Sequence, residues 1–280
     1  MCEKDPGCFN SKTLVLDTNF FDQINRTVNG EIHPYTLGKS ADEQGRIFLK
    51  EVHKVLGNIA QCGGGRVYTS AKVYHDEIDI TKLDSALRTA DEAFDRFCME
   101  EEFITTLSNS YQERIHIEDV IEEEVQELDA SLSENVGSAD ASLLLLSLKL
   151  SQDVDVILIT DDLALQKVIR DISRRGEVVV GGSHFSTASL HYMSSLSFFR
   201  EIHSCCEMAN NRWMVVVTSF FRHQQERYEQ GKIAEETYSQ HLSCAGPYMA
   251  QLSADCDAKR KYEEKKQLYQ MFGIDNERQN

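Results

Sequence analysis

The sequence predicts an α/β fold on a parallel sheet, followed by an all-α region. Three observations carry that reading. Leu14–Leu16 and Val156–Ile159, the second within a strand read over Val154–Ile159, are short, continuously apolar runs, as expected of central strands covered on both faces. Segments with apolar residues at helical spacing alternate with them. Beyond residue 182 no stretch has strand character. The predicted division is therefore an α/β domain over 1–182 and a helical extension over 183–280.

The elements follow in order. Lys12-Thr13-Leu14-Val15-Leu16 reads as the first strand, with Asp17 at its carboxyl end. Phe20, Phe21, Ile24 and Val28 then recur at helical spacing, and Asn29-Gly30 and His33-Pro34 are read as breaks. Ile47, Phe48, Val52, Val55, Leu56 and Ile59 form the apolar stripe of a helix over about Asp42 to Ala60. Arg66 to Thr69 is a short strand, and Ser70 is placed to N-cap the helix after it, which carries Glu77. Residues 81–134 read as helical and acidic. Gly137-Ser138 closes them, and Ala139-Asp140-Ala141-Ser142 leads into the apolar helix Leu143 to Leu150. The strand ending at Ile159 runs into Thr160-Asp161-Asp162. A helix from Leu163 to Arg174 stops at Gly176, and Val178 to Val180 reads as the last strand. Helices are expected near 187–209, 212–230, 233–244 and 248–272.

Composition bounds the function. The chain has 280 residues, 41% hydrophobic and 27% charged, an ordinary globular mix. No run of 18 apolar residues exists, so no membrane partner is expected. The start, Met1 to Pro6, has no apolar signal core, and the eight cysteines include no CxxC pair. The expectation is a cytoplasmic protein with reduced thiols. Net charge is −17, and residues 91–140 hold 16 acids against 2 bases. Such a chain repels nucleic acid globally and needs a local remedy to bind it.

Acidic residues supply that remedy. Ligands of open parallel sheets bind beyond the carboxyl ends of the strands. Asp17 follows the first strand, Asp161 and Asp162 follow the Val154–Ile159 strand, and Asp140 opens the helix leading into it. Glu77 lies on the helix after the second strand, with Asp76 as the alternative beside it. Carboxylates that converge without basic partners repel one another unless a hard divalent cation, Mg²⁺ or Mn²⁺, joins them. Such an ion inverts the local sign, binds phosphate and activates water.

Leu14-Val15-Leu16-Asp17-Thr18-Asn19 resembles the opening motif of PIN-domain nucleases. Ser138-Ala139-Asp140-Ala141 before a leucine-rich helix resembles that family's third acidic motif. Ile157-Leu158-Ile159-Thr160-Asp161-Asp162 resembles its fourth. The resemblance covers about residues 11–182. It implies a three-layer α/β/α sandwich and a Mg²⁺- or Mn²⁺-dependent endoribonuclease. It also implies that Asp17, Glu77, Asp140 and Asp162 are the catalytic acids. Asp17, Asp140, Asp162 and Asp161 would be metal ligands, and Thr18, Asn19 and Thr160 would contact the RNA substrate.

Other features have plainer readings. Lys259, Arg260, Lys261, Lys265 and Lys266, with Tyr262 and Tyr269 interleaved, could touch phosphates and bases, but charge runs are usually solvated faces. The acidic block reads as solvated surface, His75 as structural, and Cys205-Cys206 as core. Trp213 with Val215, Val216, Val217, Phe220 and Phe221 is a helix core or an oligomer stripe. The alternative function is an inactive PIN-like assembly protein, its helical extension binding a partner protein or a second copy. A haloacid-dehalogenase-type phosphatase is disfavoured, because that chemistry needs Asp-x-Asp and this chain has Asn19 at the third position.

Overall fold

The structure is a computed structural model. It describes residue 9 and residues 11–36, 38–62, 66–75, 101–132, 134, 136–206, 210–243, 248, 250 and 254. Two compact units make up the chain, Met1–Glu207 and Met208–Asn280.

The first unit is an α/β fold. Its described elements are β1 (Thr13–Leu16), α1 (Thr18–Thr36), α2 (Ala41–Cys62), β2 (Val67–Ser70) and the single turn α3 (Ala71–Val73). Then come α4 (Glu101–Gln112), β3 (His116–Glu118), α5 (Glu122–Ser131), α6 (Ser138–Leu150), β4 (Val156–Ile159) and α7 (Leu163–Arg175). A hairpin of β5 (Glu177–Val180) and β6 (Ser183–Ser186), then β7 (Leu190–Met193) and α8 (Ser195–Cys206), complete it. Five strands form one sheet in the order β3-β2-β1-β4-β7, and every neighbouring pair is parallel. β5 and β6 pair antiparallel in a separate ribbon.

The apolar runs put β1 and β4 at the centre. All four residues of each are buried. Their register sets Leu16 opposite Ile159, so the next residues, Asp17 and Thr160, emerge side by side. Across the sheet, α6 buries every residue from Ala141 to Leu148. A helix apolar all round belongs in an interior, and α6 packs against β1, β2 and β4. Each of its fully buried leucines contributes roughly 1.5–3 kcal/mol through burial.

Aromatic rings close one side. Phe198 of α8 meets Phe20 of α1 edge to face at 5.2 Å and stacks on Phe9 at 5.2 Å. Phe199 stacks on Phe20 at 5.3 Å. On the far side of α1, the buried Tyr111 hydroxyl donates to Asn25 Oδ1 at 2.6 Å. Burial pushes that phenol far above its ordinary range.

Four expectations about elements are corrected. α1 continues through Asn29-Gly30 and His33-Pro34, which the sequence reading treats as breaks. β3 lies within the stretch read as helical; its burial is exposed–partial–exposed, so no apolar run marks this edge strand. Val178 to Val180 is a strand, but it belongs to the antiparallel ribbon and not to the main sheet. Finally, β6 and β7 lie beyond residue 182, in the segment read as wholly helical, and β7 is the fifth strand of the sheet. His191 interrupts Leu190-His191-Tyr192-Met193, and polar residues flank it at Ser186–Thr187, Ser189 and Ser194–Ser195, so no continuous apolar run marks this edge strand, which pairs on one flank only.

The second unit holds α9 (Asn210–Glu229) and α10 (Glu235–Ser243). Tyr228 stacks on Tyr238 at 4.8 Å, and Phe220 meets His241 at 5.8 Å, so the two helices pack as an antiparallel pair across the turn at Gly231 (φ +67°). Of the predicted helix over 248–272, residues 248, 250 and 254 are described and are helical, and the basic run Lys259 to Lys266 lies outside the described residues.

Candidate functional site at the carboxyl edge of the sheet

The strand order creates a switch point. From β1 the chain proceeds to β2 and β3 on one side, then crosses to β4 and β7 on the other. Parallel α/β sheets bind ligands in the crevice at the carboxyl ends of the two strands flanking such a reversal. Here those strands are β1 and β4, and Asp17 and Thr160 are the first residues past them.

Asp17 is 1% exposed. Its backbone N–H donates to the Ile159 carbonyl at 3.1 Å, and its carbonyl accepts from Phe20 N at 3.0 Å as α1 begins. Its carboxylate accepts from Thr18 N at 2.6 Å on Oδ1, and from Asn19 Nδ2 at 3.1 Å and the Thr160 hydroxyl at 2.5 Å on Oδ2. Thr18, Asn19 and Thr160, expected to touch substrate, are thus the groups that hold Asp17. The Thr160 hydroxyl also accepts from Asp162 N at 3.0 Å, and its carbonyl accepts from Gln166 Nε2 at 2.8 Å.

The paired aspartates after β4 diverge. Asp162 is the N-cap of α7: its Oδ1 accepts from Ala164 N at 2.7 Å and Leu165 N at 2.9 Å. That arrangement satisfies two amides and places negative charge at the positive end of the helix dipole. Asp161 is 7% exposed and turns toward α8, where its Oδ1 accepts from Ser195 N at 2.9 Å.

Asp140 stands in the first turn of α6, at its third position, half-buried. It does not cap the helix as the sequence reading expects; Gly137, at φ +87°, occupies the N-cap. A hydroxyl bridge ties this turn to the carboxyl edge: Ser70 and Ser142 share a hydrogen bond of 2.7 Å, and Ser142 also donates to the Ala139 carbonyl at 2.6 Å. Ser70 accepts from Val73 N at 3.2 Å, as the N-cap expected of it. Glu77 and its alternative Asp76 lie outside the described residues.

Sequence reasoning misses three groups here. Thr69 donates from its hydroxyl to the Leu16 carbonyl at 2.9 Å, fixing the end of β1. Ser142 makes the bridge just described. Ser195 is wholly buried and holds Asp161 through its amide. A signal exists for the last: Ser194 accepts from Ser197 N at 3.2 Å, so the serines before Leu196 and Phe198 mark a helix start.

The acidic block is partly neutralised from elsewhere. Lys149 pairs with Glu124 at 2.5 Å, Lys72 with Glu122 at 3.4 Å, and Lys167 with Glu134. Among the described residues, no three histidine, cysteine, aspartate or glutamate side chains gather closely enough to hold a metal ion. No described helix is long and apolar enough to cross a membrane. Comparison with family models, curated proteins and solved structures finds no match to this chain.

Proposed function

We propose that the first unit hydrolyses RNA phosphodiesters with the help of a divalent cation, at the carboxyl edge between β1 and β4. The observation that carries this reading is the buried Asp17 carboxylate, held by Thr160 across the switch point of a parallel sheet. Its support in sequence is the resemblance to PIN-domain nucleases at Asp17, Asp140 and Asp162.

On this reading Asp17, Asp140 and Asp162 would supply oxygen ligands of the kind Mg²⁺ or Mn²⁺ takes, with Glu77 as the fourth acid; the described acids do not gather closely enough to hold the ion as they stand, so binding it requires them to draw together. A bound divalent ion supplies water activation and charge neutralisation at the scissile phosphate. The rest falls to the chain. Thr160 and Asn19 both donate to Oδ2 of Asp17 and fix its rotamer. Gln166 anchors the Thr160 carbonyl, which keeps the β4–α7 turn rigid. Thr18 stands at the start of α1, where its amide already serves the carboxylate.

A second reading has its own observation. Asp162 and Asp161 each satisfy helix N-terminal amides, as structural caps do. An inactive assembly protein would keep those bonds and need no cation.

The test is cleavage of labelled single-stranded and hairpin RNAs with Mn²⁺, Mg²⁺ or EDTA, beside Asp17→Asn, with calorimetric titration of Mn²⁺ into both proteins. The expected result is metal-dependent cleavage and Mn²⁺ binding by the wild type, both lost in the variant. Absence of both in the wild type would overturn the enzyme reading in favour of the assembly protein.

A further inference from the structure

A cleft of about 490 Å³ lies along the outer flank of β7, away from the carboxyl edge. Arg170, Ser173 and Arg174 of α7 form one wall, and Thr187, His191 and Tyr192 lie on the other. None of the described residues lining it is acidic. In a chain of net charge −17 that is a local reversal of sign. Two carboxylates stand beside the cleft: Asp171 lies 3.4 Å from Nη1 of Arg174, whose side chain is 78% exposed, and Asp155, near His191, pairs with Lys12 at 2.5 Å.

The cleft is preformed. Thr187 N donates to the Gly176 carbonyl at 3.1 Å, and Leu190 N donates to the Thr187 carbonyl at 3.2 Å. Val156 N donates to the Ser189 carbonyl at 2.8 Å, which seats the floor against β4. The arginines sit one helical turn apart on α7, so both guanidinium forks reach the same side. Tyr192 lines the same cleft, and arginines with an aromatic residue are the combination that holds single-stranded nucleic acid through phosphates and base stacking.

The position relates to the candidate centre. α7 starts at Asp162, eight residues before Arg170 and twelve before Arg174, which at 1.5 Å per residue is about 12 and 18 Å along the helix. We propose that this cleft binds the backbone of single-stranded RNA and leads the strand toward the carboxyl edge. The choice of RNA rests on the nuclease reading above; the anion site itself rests on the cleft.

The experiment measures binding separately from cleavage. Fluorescence anisotropy of a labelled twelve-nucleotide RNA, in EDTA, would compare the wild type, Asp17→Asn, Arg170→Ala/Arg174→Ala and Arg170→Glu/Arg174→Glu. Adenosine monophosphate would serve as competitor, and thermal melting would confirm that every variant folds. The expected result is Kd at least ten-fold weaker for the alanine pair and weaker still for the glutamate pair. Asp17→Asn, which removes a negative charge, should bind no more weakly than the wild type. The salt dependence should fall by about 1.4 in log–log slope, for two lost phosphate contacts on a single strand. Unchanged Kd and slope in the folded double variants would overturn the proposal, as would equal affinity for the mononucleotide and the strand. Binding lost in the double variants of a protein that never cleaves would keep the cleft and remove the nuclease. Cleavage with unaltered binding in the double variants would do the reverse.

Discussion

Removing the Thr160 hydroxyl is the sharpest perturbation of the carboxyl edge. Thr160→Val keeps the shape but deletes two hydrogen bonds at a wholly buried position: the 2.5 Å donation to Asp17 Oδ2 and the 3.0 Å acceptance from Asp162 N. A hydrogen bond to a charged group is worth about 1.5–3 kcal/mol, and a neutral one about 1 kcal/mol. The expected loss is therefore about 2–4 kcal/mol, or a Tm lower by roughly 4–16 °C for a unit of this size. The cycle with Asp17→Asn isolates the cause. An amide oxygen at Oδ2 accepts only a neutral hydrogen bond, so Thr160→Val should cost about 1 kcal/mol less in that background. The only tryptophan, Trp213, belongs to the second unit, so its fluorescence reports the wrong part of the chain. Urea unfolding followed by far-ultraviolet circular dichroism, with amide exchange read at β1 and β4, is the proper assay. Equal costs in the two backgrounds would refute the coupling between Asp17 and Thr160.

Two further outcomes are expected. The Lys12 ammonium, hydrogen-bonded at 2.5 Å, holds the Asp155 carboxyl below its ordinary value; the pair's contribution is complete above the ordinary carboxylate value near pH 4 and is lost as pH falls through the depressed one. In Lys12→Met the Asp155 titration, followed by NMR, should move up toward that ordinary value; no movement would show that the pair does not set it. Gly176 ends α7 at φ +82° with its N–H donating to the Ile172 carbonyl, and nothing lies within 4 Å of where a Cβ would stand. Gly176→Ala should therefore cost about 1–2 kcal/mol from backbone conformation alone, measured by the same urea unfolding, and a neutral result would count against the left-handed cap.

How much of the site is legible depends on what each residue must satisfy locally. Asp162, assigned from the sequence to catalysis and to a metal, stands directly before a helix, where an aspartate also has a local job, capping, and the structure shows it doing that job. Ser70 and Gly176 are readable because each has such a local job. Asp161 is adjacent in sequence yet turns to a helix that begins at Ser195, a partner no local pattern names. Thr160 is singled out in the sequence as a substrate contact, not as a partner of Asp17; its bond to Asp17 spans 143 positions. The Ser70–Ser142 bridge spans 72.

The sequence by itself determined the two central strands, the α/β class and the order in which acidic residues leave those strands. Continuous apolar runs and helical periodicities are local consequences of burial, so they survive in one dimension. Only the tertiary structure decided that β7 completes the sheet, that α8 packs its phenylalanines on α1, and that two arginines face a cleft beside an edge strand. Edge strands pair on one flank and are only partly buried, so neither β3 nor β7 carries the continuous apolar run that marks β1 and β4. Register joins Asp17 to Thr160 for a reason equally invisible in the chain: parallel strands meet only after a long crossover, and the alignment is fixed by packing between distant elements.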